Sequence, residues 1–343
     1  MFPDHIASTD HLDDILSTPT PGLVEAFAKL DGDLIVLGVG GKMGPTLARM
    51  AIRASQDSGK KRRVIGVARF SQPELPAWLQ NHGIEPITAD LLDPKQLVKL
   101  PDAPNVIVMT ALKFGSSGRP GDTWAVNCWL PANVCQRYAS SRIAAFSTGN
   151  VYPLTPISLG GSVETDPLMP VGEYTASCVG RERLYDYFSR TAGTKISILR
   201  LNYACELRYG VLVDVARQIL TGEPIDLSMG AVNVIWQGDA NAMTLHSLAH
   251  AASPPFALNI AGPETLSVRR ICQELGQLLG TAPVFTGCES TEALLSNGQL
   301  GHRLFGYPRV PIQQLCQWIA HWLKSGGPLL GKPTKFQVRD GKF

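Results

Sequence analysis

The sequence predicts an α/β protein built on a doubly wound parallel sheet, with a small C-terminal α/β domain after it. Three observations carry this expectation. Short runs rich in Val, Ile and Leu recur at Leu34–Gly38, Val64–Ala68, Ile84–Ala89, Val106–Thr110, Ile143–Ser147 and Ile196–Leu201. Apolar runs without alternation suit strands buried on both faces. Helix-like segments fall between them, at Met43–Ser55, Pro73–Asn81, Trp124–Ser140 and Tyr174–Thr191, which gives the βα order of a sheet covered on both sides. The first run ends in Gly38-Val39-Gly40-Gly41-Lys42-Met43-Gly44, a glycine-rich turn that opens a helix.

The remaining elements follow in chain order. Residues 1–32 read as an N-terminal extension. Met1 to Pro21 is a polar, acidic lead-in, and Leu23 to Leu30 has the spacing of a short amphipathic helix. Residues 33–201 hold the alternating βα units. After Leu201 the rhythm changes: helices are expected at Val211–Thr221 and Asp239–Ala252, with strands at Val232–Trp236 and Ala257–Ile260. Segments within residues 232–262 are expected to complete the sheet. Ser267 is placed to cap the helix Val268–Leu279, and Pro311–Lys324 is the last helix. The tail, residues 326–343, carries an Asp340-Gly341 turn and is expected along the surface as a strand or hairpin.

Composition narrows the class. Of 343 residues, 44% are hydrophobic and 17% charged, as in ordinary globular proteins. The net charge of +2, from 31 basic and 29 acidic residues, gives no reason to expect a nucleic-acid or membrane partner. The basic run Lys60-Lys61-Arg62-Arg63 reads as a solvated turn. Seven cysteines without CxxC spacing point to reduced thiols and a cytoplasmic home. Seven histidines without ligand spacing leave no expected metal. No apolar signal core or membrane-length run is present.

The glycine-rich turn has the context that chemistry requires. Glycine allows a tight turn and close backbone approach to a pyrophosphate, and the helix start offers free N–H groups and positive potential. Such a dinucleotide site usually has an acidic residue about 20 positions on, for a ribose hydroxyl. Here the second run ends in Ala68-Arg69-Phe70-Ser71. Arg69, with Lys42, favours the 2′-phosphate of NADP over NAD, and Arg69 stacked on adenine or left in solvent is the alternative. Asp90, after the third run, is a candidate for the adenine amino group.

Two further segments, Phe146-Ser147-Thr148-Gly149-Asn150-Val151-Tyr152 and Glu173-Tyr174-Thr175-Ala176-Ser177-Cys178, join the glycine turn in a pattern. Together with Asn127, Arg200, Asp239 and Leu258-Asn259-Ile260-Ala261-Gly262, they resemble the extended short-chain dehydrogenase/reductases, the group that includes sugar-nucleotide epimerases and dehydratases. The resemblance covers roughly residues 33–325. It implies a Rossmann domain over 33–201, a mainly substrate-binding region over 202–325, and a homodimer through the helices Trp124–Ser140 and Tyr174–Thr191.

In that family a Ser/Thr, a Tyr and a Lys do the chemistry. By position Thr148 matches the first and Tyr174 the second. The Lys stands four residues after the Tyr, on the same helix face. Here that residue is Cys178, so the chain is an atypical member on this resemblance. An unperturbed Tyr has a pKa of about 10, which leaves only about one part in a thousand as phenolate near neutrality. A displaced cation would help. Lys113, in Thr110-Ala111-Leu112-Lys113, resembles a lysine found there in galactose epimerases; a loop lysine binding phosphate or water is the alternative. Arg181 shares the face but starts about 10 Å further along the helix. Cys178 is favoured as a small buried filler over a thiolate nucleophile.

The expected cofactor groove comprises Gly38, Gly40, Gly41, Lys42, Met43, Gly44, Arg69, Asp90, Leu91, Thr110, Ala111, Lys113, Asn127, Tyr174 and Cys178. The expected substrate side comprises Thr148, Asn150, Asn202, Arg208 and Asn233, with a surface ion pair as the somewhat favoured alternative for Arg208, a turn position for Asn233 and a core position for Trp236. The resemblance implies an NAD(P)-dependent oxidoreductase or epimerase acting on a sugar-derived hydroxyl or keto group. Two other readings stay open: a non-catalytic NAD(P)-binding sensor or subunit, and an isomerase that retains its cofactor.

Overall fold

The protein is described by a computed structural model over residues 2–113 and 118–342; Phe114 and Gly115, from the segment after the fourth apolar run, and Phe343 of the tail lie outside the described residues. Seven strands form one sheet: β1 (Leu34–Leu37), β2 (Val64–Ala68), β3 (Ile84–Thr88), β4 (Asn105–Val108), β5 (Arg142–Thr148), β6 (Lys195–Leu201) and β7 (Phe256–Ile260). Their order is β3-β2-β1-β4-β5-β6-β7, and every neighbouring pair is parallel.

The pleat explains why these strands are apolar throughout. Leu34 and Val36 of β1 enter one core, while Ile35 and Leu37 enter the other. In β5, Ala144 and Phe146 join the first core and Ile143 and Ala145 the second. The first core lies under the helices Pro21–Lys29, Gly44–Asp57 and Gln237–His246. The second lies under Leu130–Arg137 and Glu173–Ala192. A third core belongs to the smaller region and gathers the helices Val211–Thr221, Val268–Leu279 and Ile312–Lys324 around Trp236 and Trp318. The Ser267 hydroxyl accepts the Arg270 N–H at 3.3 Å, as its expected cap position requires.

Four expectations are corrected. The polar lead-in contains a helix, Thr9–Leu16, capped by the Ser8 hydroxyl, with Leu12 and Leu16 fully buried in the third core. The single strand expected at Val232–Trp236 is two short pairings. Ala231–Val232 runs antiparallel to Leu266–Ser267, and Ile235–Trp236 runs parallel to Ala204–Cys205. The helix expected at Trp124–Ser140 is interrupted by a π-helical turn, Ala125–Trp129. Pro131 has no N–H for the Asn127 carbonyl, and Leu130 N–H donates one residue further back, to Ala125. The tail forms no strand through residue 342. Gly326, Gly327, Pro328, Gly331 and Pro333 break any ladder, and single anchors hold it instead. Leu330 N–H donates to the Arg208 carbonyl, Thr334 N–H to Asp214, and Arg339 to the Ser228 and Glu292 carbonyls.

Candidate active site

Two cavities run end to end along the carboxyl edge of the sheet. The outer one, about 400 Å3, lies over β1, β2 and β4, and the inner one, about 370 Å3, continues toward β5 and β6. Gly41, Met109 and Ala111 border both, so the two make one elongated groove. The carboxyl edge of an open parallel sheet is where such folds bind ligands.

The glycine turn shapes the groove's floor. Gly38 has φ +89, a left-handed value that favours glycine. A Cβ at Gly44 would stand 2.2 Å from the Val39 carbonyl oxygen, so the helix can start this close to β1 only with glycine there. A Cβ on Gly41 would meet only the Gly38 oxygen, at 3.5 Å, and its other side faces the groove. Gly44 N–H donates to the Gly41 carbonyl at 3.1 Å and Pro45 has no N–H, so the donors left for a ligand among the described residues are the Lys42 and Met43 N–H groups just before the helix Gly44–Asp57. The Thr110 hydroxyl is buried at the outer cavity without a hydrogen-bond partner among the described residues. A glycine cradle, the Lys42 and Met43 N–H groups and an orphaned hydroxyl on one groove fit a dinucleotide.

The outer end carries Arg69, Asp90 and Leu91. Arg69 is exposed and makes no ion pair among the described residues. The Asp90 carboxylate accepts the Leu92 N–H at 3.0 Å. Phe70, beside Arg69, has φ 48, and Tyr203, at the inner cavity, has φ 46. Left-handed backbone costs a non-glycine residue about 1–3 kcal/mol, and both strained positions border the groove.

The inner end gathers Lys42, Met43, Lys113, Thr148, Asn150, Tyr174 and Asn202. Tyr174 sits in the first turn of the helix Glu173–Ala192. Its hydroxyl contacts the Thr148 hydroxyl and the Cys178 thiol, and burial pushes its pKa far above the ordinary tyrosine value. Thr148 also donates to Asn150 Oδ1 at 3.0 Å and accepts the Asn150 N–H at 3.2 Å. Lys113 Nζ stands 5.9 Å from the centroid of the Tyr174 ring. Burial lowers the Lys113 amine to about 8 and the Lys42 amine to about 7. Lys42 Nζ lies 3.2 Å from the centroid of the Tyr209 ring.

Four expected site residues stand elsewhere. Cys178 is fully buried behind Tyr174 and lines neither cavity. Asn127 is also fully buried; its amide pairs with both backbone groups of Leu112 and donates to Ser177 at 2.9 Å. It therefore fixes the loop after β4 against the Tyr174 helix. Asn233 sits behind Asn202, accepting from it at 2.6 Å and donating to the Ser296 carbonyl at 2.6 Å. Arg208 pairs with Asp13 of the N-terminal helix at 2.8 Å and with Glu206 at 3.2 Å, which together satisfy its charge. Trp236 is core.

The structure adds Tyr209, Lys332 and Thr334 to the inner wall. Lys332 and Thr334 come from the tail, and no local pattern could have placed that segment over the groove. A buried network braces the site from below. Arg200 binds Glu182 at 2.8 Å and donates to the Tyr152 hydroxyl at 2.6 Å, and Tyr152 donates to Asn259 at 2.9 Å. The motif residues Arg200, Tyr152 and Asn259 thus tie β5, β6, β7 and the Tyr174 helix together. Among the described residues no three His, Cys, Asp or Glu side chains cluster as a metal site, and no helix is long and apolar enough to cross a membrane.

Residues 34–240 match the model of the NAD dependent epimerase/dehydratase family. Solved structures share the fold at low identity. MoeE5 in complex with UDP-glucose and NAD aligns with a TM-score of 0.69 and 18% identity, over 86% of this chain and 99% of that one. The dTDP-glucose 4,6-dehydratase DesIV from Streptomyces venezuelae, with NAD and TYD bound, aligns at 0.70 and 18%, over 85% and 97%. The UDP-glucuronic acid 4-epimerase from Bacillus cereus, with UDP-glucuronic acid and NAD, aligns at 0.68 and 17%, over 85% and 99%. A comparison with curated protein sequences finds no match.

Proposed function

The chain belongs to the NAD-dependent epimerase/dehydratase family, a family of NAD-dependent enzymes, and we propose that it transfers hydride at a hydroxyl or keto carbon of a sugar derivative, as an oxidoreductase or epimerase. The observation that carries this reading is Tyr174 in contact with Thr148 at the inner end of a dinucleotide-shaped groove. Gly38, Gly40, Gly41 and the Lys42 and Met43 N–H groups would hold the pyrophosphate, with the adenosine over Asp90 and Leu91. A bound nicotinamide cofactor supplies the hydride acceptor and donor. Thr148 holds the reacting oxygen, and Tyr174 gives or takes its proton. Lys113 supplies positive charge beside the Tyr174 ring.

The substrate side favours an anion. Lys42, Lys113, Arg181 and Lys332 line the inner cavity, and among the described residues no carboxylate does. Nucleotide sugars, bound by MoeE5 and the Bacillus cereus epimerase, carry such charge, and they are the substrates proposed here. Exposed Arg69 at the adenosine end supports NADP over NAD. Trp129 and Tyr187, 54% and 59% exposed on the two helical segments of the second layer, support a homodimer through that face. Unpaired cysteines throughout support a cytoplasmic location.

One observation favours the second reading, a cofactor-binding subunit without turnover: the helix offers no lysine at Cys178, and burial holds Tyr174 neutral. Turnover assays of UDP- and dTDP-hexoses with added NAD and NADP, on wild type and Tyr174→Phe, separate the two. Hydride exchange or epimer formation that Tyr174→Phe abolishes supports the enzyme. Tight cofactor binding without any conversion supports the subunit.

A further inference from the structure

Among the described residues no carboxylate forms an ion pair with Arg181, which keeps its charge inside the protein. It is 2% exposed, Nη2 donates to Cys178 Sγ at 3.2 Å, and Nη1 donates to the Thr110 carbonyl at 3.3 Å. Nε is buried without a hydrogen-bond partner. The neighbouring carboxylate, Glu182, is already committed to Arg200 at 2.8 Å and to the Ser147 hydroxyl. A buried guanidinium without an ion pair is costly, and its natural complement is a negative charge that appears beside it during the reaction.

Tyr174 is where such a charge appears. Tyr174 packs with Cys178, one helical turn on, in a single buried cluster, and the Cys178 sulfur accepts from Arg181 at 3.2 Å, so the Cys178 side chain links the phenol to the guanidinium. Cysteine at 178 is short enough to leave the guanidinium this space. We propose that Arg181 is a positioning residue for proton transfer at Tyr174: its fixed charge, acting across the Cys178 thiol, stabilises the phenolate left when the Tyr174 O–H bond breaks and the proton passes to a substrate oxygen. This rests on the acid/base reading of Tyr174.

The groups facing Tyr174 come from four elements. Cys178 and Arg181 share its helix, Thr148 ends β5, Lys113 follows β4, and Lys335 of the tail lies beyond Lys113. Lys113 is not equivalent to Arg181. Its amine, lowered to about 8 by burial, loses its charge in the alkaline range where a phenolate forms, whereas a guanidinium does not titrate.

The test reads ionisation rather than turnover. A fluorinated tyrosine at position 174, with a lowered phenol pKa, is titrated by fluorine NMR in the full-length protein. Arg181→Met is expected to raise its midpoint by at least about one pH unit, a tenfold loss of phenolate at fixed pH, and Arg181→Lys is expected to restore it. A midpoint unchanged by Arg181→Met, or a lysine variant that titrates like the methionine one, overturns the proposal. If Arg181→Met does not fold, Arg181→Gln keeps hydrogen-bonding capacity without the charge, and a midpoint no higher than wild type overturns the proposal equally. Activity retained by Tyr174→Phe would sink the acid/base reading itself; an unmoved midpoint sinks only the role of Arg181.

Discussion

Lys42 Nζ stands 3.2 Å from the centroid of the Tyr209 ring, and no carboxylate forms an ion pair with it among the described residues. Burial therefore lowers this amine from 10.5 to about 7. Between those values the unfolded chain holds more protons than the folded one, so stability rises with pH across that window. The cost of the buried charge is fully present below pH 7 and gone above the unfolded value. Wild type is expected to gain on the order of 1–2 kcal/mol from about pH 7 to about pH 9 relative to Lys42→Met, read from paired denaturant titrations. Parallel pH profiles would contradict the burial argument.

Arg69→Ala is expected to weaken NADP binding about ten- to a hundredfold, the loss of one or two charge-assisted hydrogen bonds, and to leave NAD binding nearly unchanged. Calorimetric titration with both cofactors decides it. Equal effects on the two would assign Arg69 to adenine or to solvent.

Gly44→Ala places a methyl group 2.2 Å from the Val39 carbonyl oxygen. Overpacking of this kind costs about 1–3 kcal/mol, and here it also displaces the turn that would hold the pyrophosphate. Thermal unfolding should show the loss in stability, and the same sample should bind neither cofactor. Retained binding would mean the turn is not the phosphate site.

Tyr174→Phe is expected to lower turnover about a hundred- to ten-thousandfold, the usual worth of a positioned acid or base. Cofactor affinity should stay near wild type. A loss of affinity without loss of turnover would make Tyr174 a binding residue only.

Phe336, 3% exposed in the third core, pins the tail that brings Lys332 and Thr334 to the inner cavity. Phe336→Ala is expected to cost about 3 kcal/mol and to raise the substrate KM while leaving cofactor binding intact. Stability loss with an unchanged KM would confine the tail to a structural role.

These predictions rest on positions of unequal legibility. The sheet was readable because strands buried on both faces show as bare Val, Ile and Leu runs, and Gly38 and Gly44 followed from the turn alone. The Thr9–Leu16 helix was hidden because Asp10, Asp13 and Asp14 outweigh Leu12 and Leu16, and the partner that explains Asp13 is Arg208, 195 positions away. By rise along the helix alone, Arg181 stands about 10 Å from Tyr174. Its side chain instead reaches back toward the helix N-terminus, the direction helical side chains favour, and so meets Cys178. Asn127 and Asn233 looked like ligand contacts, yet backbone carbonyls and neighbouring side chains consume their amides. The tail has no periodicity at all, because its anchors lie on Asp214, Arg208 and Ser228, far off in sequence.

β7 joins β6 from residues 256–260, beyond residue 240, where the family match ends. A chain emerging from the ribosome must therefore carry β6 with one side unpaired, its Ile196, Ile198 and Leu199 in a run of open backbone groups, until Ile260 has left the exit tunnel. Open apolar edges recruit other chains, so the stretch of synthesis between Leu201 and Ile260 exposes an aggregation-prone edge. A fragment trimmed to the family match would keep that edge open permanently.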